Sequence, residues 1–187
     1  IRQEVAQWRN SGYKGASETS RSLLYHWFSR HDKKRNEMGE EYPSEFRYYF
    51  AQREAVESVI YLYEVKKVQD KYDLMKFDST GLVSGAMFSE EWLRFVLKLA
   101  TGAGKTKIIS LIIAWSFFHK TYEANSTLSR NVLLIAPNII VLDRLRNDFD
   151  GLRIFREDPI IPENGEYGRE WRSDFNMTLH IQDDVAV

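Results

Sequence analysis

The pattern of apolar and polar positions divides this chain into helical and strand-like stretches of different kinds. From Ile108 to Phe118 almost every residue is hydrophobic, with only Ser110 and Ser116 interrupting. The spacing predicts a helix from Lys105 to about Tyr122 that is apolar nearly all round. Such a helix must be buried on more than one side, as between a sheet and another layer. Val132-Leu133-Leu134-Ile135-Ala136 is a short continuous apolar run, the pattern of an inner strand of a parallel sheet. Phe95 to Leu99 reads as a strand before the apolar helix, and Met177 to Ile181 as a last strand.

Other stretches carry helical periodicity. Leu23, Leu24, Trp27 and Phe28 give an apolar face to a predicted helix from Glu18 to Asn36, with Arg30, Lys33, Lys34 and Arg35 at its polar end. That basic cluster reads first as a solvated helix terminus favoured by the dipole, with phosphate contact as the alternative. Pro43 breaks the chain and Ser44 is a plausible cap. A long helix from Phe46 to Met75 follows, marked by Ala55, Val56, Val59, Ile60 and Leu62. Phe77 to Ser89 is a loop or hairpin tip, Asn138 caps a helix from Ile139 to about Phe149, and Asp150 to Asp174 is irregular. Strand, helix, strand, helix, strand predicts an α/β fold with a parallel sheet.

The chemistry concentrates where the first of these strands meets the apolar helix. Ala100-Thr101-Gly102-Ala103-Gly104-Lys105-Thr106 has the composition of a phosphate-binding loop, or P-loop. Small residues let consecutive backbone N–H groups turn around a phosphate, with Gly102 and Gly104 where a side chain would obstruct the turn or the close approach. Lys105 then reaches the β- and γ-phosphates, and the Thr106 hydroxyl ligates the magnesium between them. The candidate ligands are thus ATP and Mg2+, held by Thr101, Gly102, Ala103, Gly104, Lys105 and Thr106, with Lys105 and Thr106 also serving catalysis.

Composition narrows the picture without redirecting it. A formal net charge of -1 gives no global pull toward nucleic acid, so any such contact must be local. The chain has no cysteine, which removes disulfides and thiolate metal sites and is compatible with the cytoplasm. His26, His31, His119 and His180 are dispersed, with no metal-ligand spacing. No segment approaches the ~20 apolar residues of a membrane span. The chain starts at Ile1 rather than methionine, which reads as a processed or excised piece.

One departure from the general P-loop pattern is informative. Leu99 stands where the eight-residue consensus begins with glycine. Leu-Ala-Thr-Gly-x-Gly-Lys-Thr resembles the motor domains of superfamily 2 helicases and translocases, in particular the motor (Res) subunits of type III restriction endonucleases and their DEAD/DEAH-type relatives. The resemblance runs from about Phe46 to the end of the chain. Phe50-Ala51-Gln52-Arg53-Glu54-Ala55-Val56 resembles their glutamine motif, which implies that Gln52 reads adenine while Phe50 or Tyr49 stacks on the base. The alternative is an exposed helical glutamine beside core aromatics. Ala136-Pro137-Asn138-Ile139 resembles a motif in which a helix N-terminus meets a nucleic-acid phosphate, pointing to Pro137 and Asn138. A simple N-cap role for Asn138 is compatible with that.

The resemblance implies a P-loop NTPase, RecA-like parallel sheet with helices on both faces, incomplete, and preceded by a helical N-terminal extension. Residues 1–44 would be the extension and 45–187 the front part of a first ATP-binding motor domain. The implied activity is an ATP-dependent DNA translocase or helicase of a type III-like restriction system, acting on double-stranded DNA. A nuclease domain and a methyltransferase (modification) subunit are further implications for the parent enzyme. Asp183-Asp184 departs from the acidic Asp-Glu motif of such ATPases, because Leu179-His180-Ile181-Gln182 alternates where an apolar strand is required and the second acid is Asp, and a metal-binding role for the pair stands as the lesser alternative. That motif is therefore expected beyond Val187, and the 187 residues alone are expected to bind nucleotide weakly at most and not to hydrolyse it. A P-loop kinase, an RNA motor and a silent binding module stand as rivals.

Overall fold

The computed structural model describes residues 1–29, 33–35, 41–43, 46–87 and 94–180. Its core is built by helices. In chain order the α-helices among the described residues are α1 (Arg2–Asn10), α2 (Glu18–Phe28), α3 (Phe50–Ile60), α4 (Lys71–Met75), which buries no residue, α5 (Lys105–Tyr122), α6 (Ile139–Phe149), α7 (Arg153–Glu157) and α8 (Trp171–Asp174). The strands among the described residues are β1 (Lys33–Arg35) and β2 (Glu41–Pro43), an antiparallel pair in which Lys34 faces Tyr42.

The apolar helix forms over the residues its pattern indicates. Gly104, left-handed at φ 73°, leads into α5, and the helix runs unbroken from Lys105 to Tyr122. It buries Ile108, Leu111, Ile113, Ala114, Trp115, Phe117 and Phe118. Its several buried faces are covered by helices and an aromatic cluster. α2 and α3 pack along it, and Phe118 meets Trp171 edge-on at 4.9 Å while Phe117 meets Phe175 at 5.0 Å.

This corrects the expected fold class. A RecA-like parallel sheet is absent among the described residues, and Phe95–Leu99 and Val132–Ala136 carry no strand. The described part of Met177–Ile181 is likewise without one, and Ile181 lies outside the described residues. A continuous apolar run becomes a strand only when neighbouring backbone completes its hydrogen bonds. No ladder joins these segments, and Leu133 and Ile135 remain 81% and 82% exposed. The apolar burial that a sheet would supply to α5 comes instead from α2, α3 and the aromatic residues near the chain's end.

Two helix boundaries also differ. α2 stops at Phe28, and Lys33–Arg35 enters β1 rather than extending the helix to Asn36. The long helix expected over 46–75 begins at Phe50 and passes at Tyr61 into a π-helical turn, Tyr61–Val65. Lys67 then takes a left-handed φ of 51°, and the Asp70 carboxylate accepts the Asp73 N–H at 2.9 Å to start α4. No glycine or proline announces this break, which is why periodicity ran through it.

The N-terminal helices share the core. Val5, Trp8, Leu23, Leu24 and Trp27 are buried in one cluster with Val56, Ile60, Leu111 and Phe118. Polar contacts reinforce that packing. The Trp27 indole donates to the Ile160 carbonyl at 2.7 Å, and Glu57, with no exposure at all, takes Arg9, Arg53 and Tyr13. Burial, and then the bond to Glu57, push the Tyr13 phenol pKa upward, so it remains a donor.

Candidate nucleotide-binding site

The loop before α5 is a tight turn with two left-handed residues, Gly102 at φ 81° and Gly104 at φ 73°. The Ala103 N–H bonds the Ala100 carbonyl at 3.3 Å, and the Lys107 N–H bonds the Gly104 carbonyl at 3.0 Å. Between these closures, the N–H groups of Gly102, Gly104, Lys105 and Thr106 donate to no protein group among the described residues. Free donors at the head of an 18-residue helix form an anion-binding arrangement, because the helix dipole adds positive potential there.

The side chains are consistent with that use. Lys105 is exposed and donates its ammonium to the Ala100 carbonyl at 2.8 Å, crossing the turn it follows. The Thr106 hydroxyl is half-buried and bonds no protein group among the described residues, leaving it available as a cation ligand. Lys107 pairs with Asp158 and ties the first turn of α5 to the segment after α7. Unpartnered N–H donors, an exposed ammonium and a free hydroxyl fit magnesium-bound nucleotide phosphates.

Gln52 meets the loop directly. It lies on the first turn of α3, is 4% exposed, and donates its amide to the Ala103 carbonyl at 3.2 Å, with Gly104 O at 3.5 Å. Its amide oxygen accepts the Tyr49 N–H at 2.8 Å, which caps α3. Its amide is thus engaged with protein on both its oxygen and its nitrogen. Tyr49 and Phe50 are 69% and 59% exposed at the same helix start.

Pro137 and Asn138 are both exposed. Asn138 caps α6, its side-chain oxygen accepting the Val141 N–H at 3.0 Å. Among the described residues, no hydrogen bond or ion pair joins either residue to the loop. Gln182, Asp183 and Asp184 lie outside the described residues. What sequence reading missed is the second layer: Arg9, which reaches across to Glu54 and Glu57, and Asp158 on Lys107. No local motif marks residues paired across some fifty positions.

The family model described as "Type III restriction enzyme, res subunit" matches residues 44–180, most of the chain and all of the loop region. The chain belongs to that family. As a Res-family chain it falls within the superfamily of ATP-dependent helicase and restriction motors. No curated protein matches it, and no solved structure matches it. The Res match begins before Gln52 and runs past Asn138, so it embraces the loop, the glutamine and the α6 cap together. No helix among the described residues is long and apolar enough to cross a membrane.

Proposed function

We propose that this Res-family chain is the ATP-binding part of an ATP-dependent DNA translocase or helicase serving a type III-like restriction system. One observation carries the reading. Gln52, from a helix fifty residues upstream, braces the same turn whose N–H groups are left without protein partners. A turn held from outside while its own donors stay free is preorganised for an anion.

In this reading the N–H groups of Gly102, Gly104, Lys105 and Thr106 surround the phosphates, with Thr101 and Ala103 completing the turn. Lys105 leaves the Ala100 carbonyl for the phosphate oxygens, and Thr106 holds magnesium. Bound there, magnesium–ATP supplies the γ-phosphoryl group whose hydrolysis drives the motor. Gln52 serves adenine by giving up its longer contact to the Gly104 carbonyl at 3.5 Å while keeping Ala103, and Phe50 offers a stacking surface. Pro137 and Asn138, at the exposed start of α6, meet a DNA phosphate.

Residues 45–187 act as the motor portion, braced by residues 1–44 through the common core. Turnover in such motors also draws on an arginine from a second motor domain, so the 187 residues by themselves bind without hydrolysing. A modification subunit is the partner of the parent enzyme, and the cytoplasm its compartment.

Calorimetry with a non-hydrolysable ATP analogue tests the site. Binding by the wild type that Lys105→Ala removes supports the assignment; no heat at millimolar ligand overturns it. DNA-stimulated ATPase activity in the parent enzyme separates a motor from a kinase, whose turnover is indifferent to DNA.

A further inference from the structure

The Phe50 ring is not free on both faces. The Arg9 guanidinium, from the last turn of α1, lies over it at 5.6 Å from the ring centroid. Arg9 is itself held firmly. Its Nε donates to the Glu57 carboxylate at 2.8 and 3.1 Å, and its terminal nitrogen pairs with both Glu54 and Glu57. Arg9 is 18% exposed and Glu57 is fully buried, so the guanidinium is fixed in plane and position by two carboxylates of α3. Glu57 in turn takes Arg53 at 2.7 Å and the Tyr13 hydroxyl at 2.7 Å. Phe50 stands two residues before Gln52 on the same helical turn. One edge of that turn thus meets the P-loop and the other meets α1.

Resting on the nucleotide-site reading above, we infer that Arg9 is a positioning residue for the nucleobase, locking the Phe50 ring from one face so that its other face is presented to a base. A guanidinium over an aromatic face is attracted by the ring quadrupole, and a planar one also restricts the ring's rotamers. An exposed phenylalanine without such a clamp samples several rotamers and must lose that freedom when a base stacks on it. Arg9 removes the cost beforehand. α1 thereby acts on base binding without touching the nucleotide, through Glu54 and Glu57.

The test separates base from phosphate. Calorimetric affinities for a non-hydrolysable ATP analogue and for inorganic tripolyphosphate are measured on the 187-residue chain and on Arg9→Lys, Glu54→Gln, Phe50→Ala and the Arg9→Lys/Phe50→Ala double variant. Arg9→Lys keeps the charge but loses the planar fork. It should weaken the ATP analogue about fivefold while leaving tripolyphosphate unchanged. Phe50→Ala should show the same selectivity, and adding Arg9→Lys to it should cost nothing further. Glu54→Gln, which loosens the clamp without removing Arg9, should give a smaller loss of the same kind, and stands in if Arg9→Lys fails to fold. Equal losses for both ligands, or additive effects in the double variant, overturn the inference while leaving the phosphate site standing. Failure of the wild type to bind either ligand overturns the site itself, and the inference with it.

Discussion

Gln52 and Gly104 are in such close contact that a Cβ on Gly104 would lie 2.2 Å from the Gln52 amide nitrogen. The same glycine holds a φ of 73°, a left-handed value that an L-residue adopts at a cost of roughly 1–2 kcal/mol. Gly104→Ala therefore meets two obstacles at once. The backbone must leave the left-handed region or bear the strain, and Gln52 must abandon the Ala103 carbonyl. The expected outcome is a loss of nucleotide binding of at least tenfold, with a thermal midpoint only a few degrees lower. Calorimetry and a melting curve on the same sample check both. Gln52→Glu should resemble it, because a carboxylate facing the Ala103 carbonyl has no donor to offer.

Lys105 predicts a different balance. Among the described residues its side chain bonds only the Ala100 carbonyl, and the residue is exposed, so little of the fold depends on it. Lys105→Ala should leave the melting midpoint within about 2 °C, since exposed substitutions of this kind change stability by under about 0.5 kcal/mol. Binding of the ATP analogue should fall below detection. A variant that binds as the wild type does would show that the loop is not a phosphate cradle.

The loop and α5 were legible because their signals are local. Two glycines, a lysine and a threonine define the turn, and eighteen residues of apolar pattern define the helix, whose bounds agree with the structure. α6 and its Asn138 cap were legible for the same reason. The sheet was misread because a five-residue apolar run states only that burial would be favourable, and pairing depends on a neighbour that local pattern does not reveal. The core role of α1 also escaped local reading. Trp8 is buried by helices far along the chain, and Arg9 finds its carboxylates 45 and 48 residues away. The π-helical turn at Tyr61–Val65 was hidden by a sequence that suits an α-helix equally well.

That π-helical turn sets up a pH dependence. Its Glu64 carboxylate is buried, and burial alone would raise its pKa. Bonds from His119 and Ser20 and from the Ser17 N–H at 2.6 Å outweigh that and hold it below the ordinary 4.5. Folding thus favours the ionised form. The stability it contributes is complete above about pH 4.5 and is lost as pH falls through the lower folded value. Glu64→Gln should lower the melting midpoint by several degrees at neutral pH, given about 1–3 kcal/mol for disturbing buried hydrogen bonds. The gap between wild type and variant should narrow below pH 4.5. A gap that stays constant down to pH 3 would exclude Glu64 as its source.

Asn138 offers a way to separate capping from nucleic-acid contact. Its side-chain oxygen accepts the Val141 N–H at 3.0 Å, and both it and Pro137 are exposed where α6 begins. Asn138→Ala removes the cap, at about 1 kcal/mol, and any phosphate contact together. Asn138→Asp retains the cap, since aspartate serves that position as well as asparagine does, but sets a negative charge where a DNA phosphate would approach. If α6 meets DNA here, Asn138→Asp should leave the melting midpoint unchanged and weaken binding of a DNA duplex several-fold, more strongly at low salt, where the repulsion is least screened. Fluorescence anisotropy across a salt series reads this directly. Equal duplex affinity for wild type and Asn138→Asp at every salt concentration would leave Asn138 as a cap alone and move the DNA contact elsewhere on the chain.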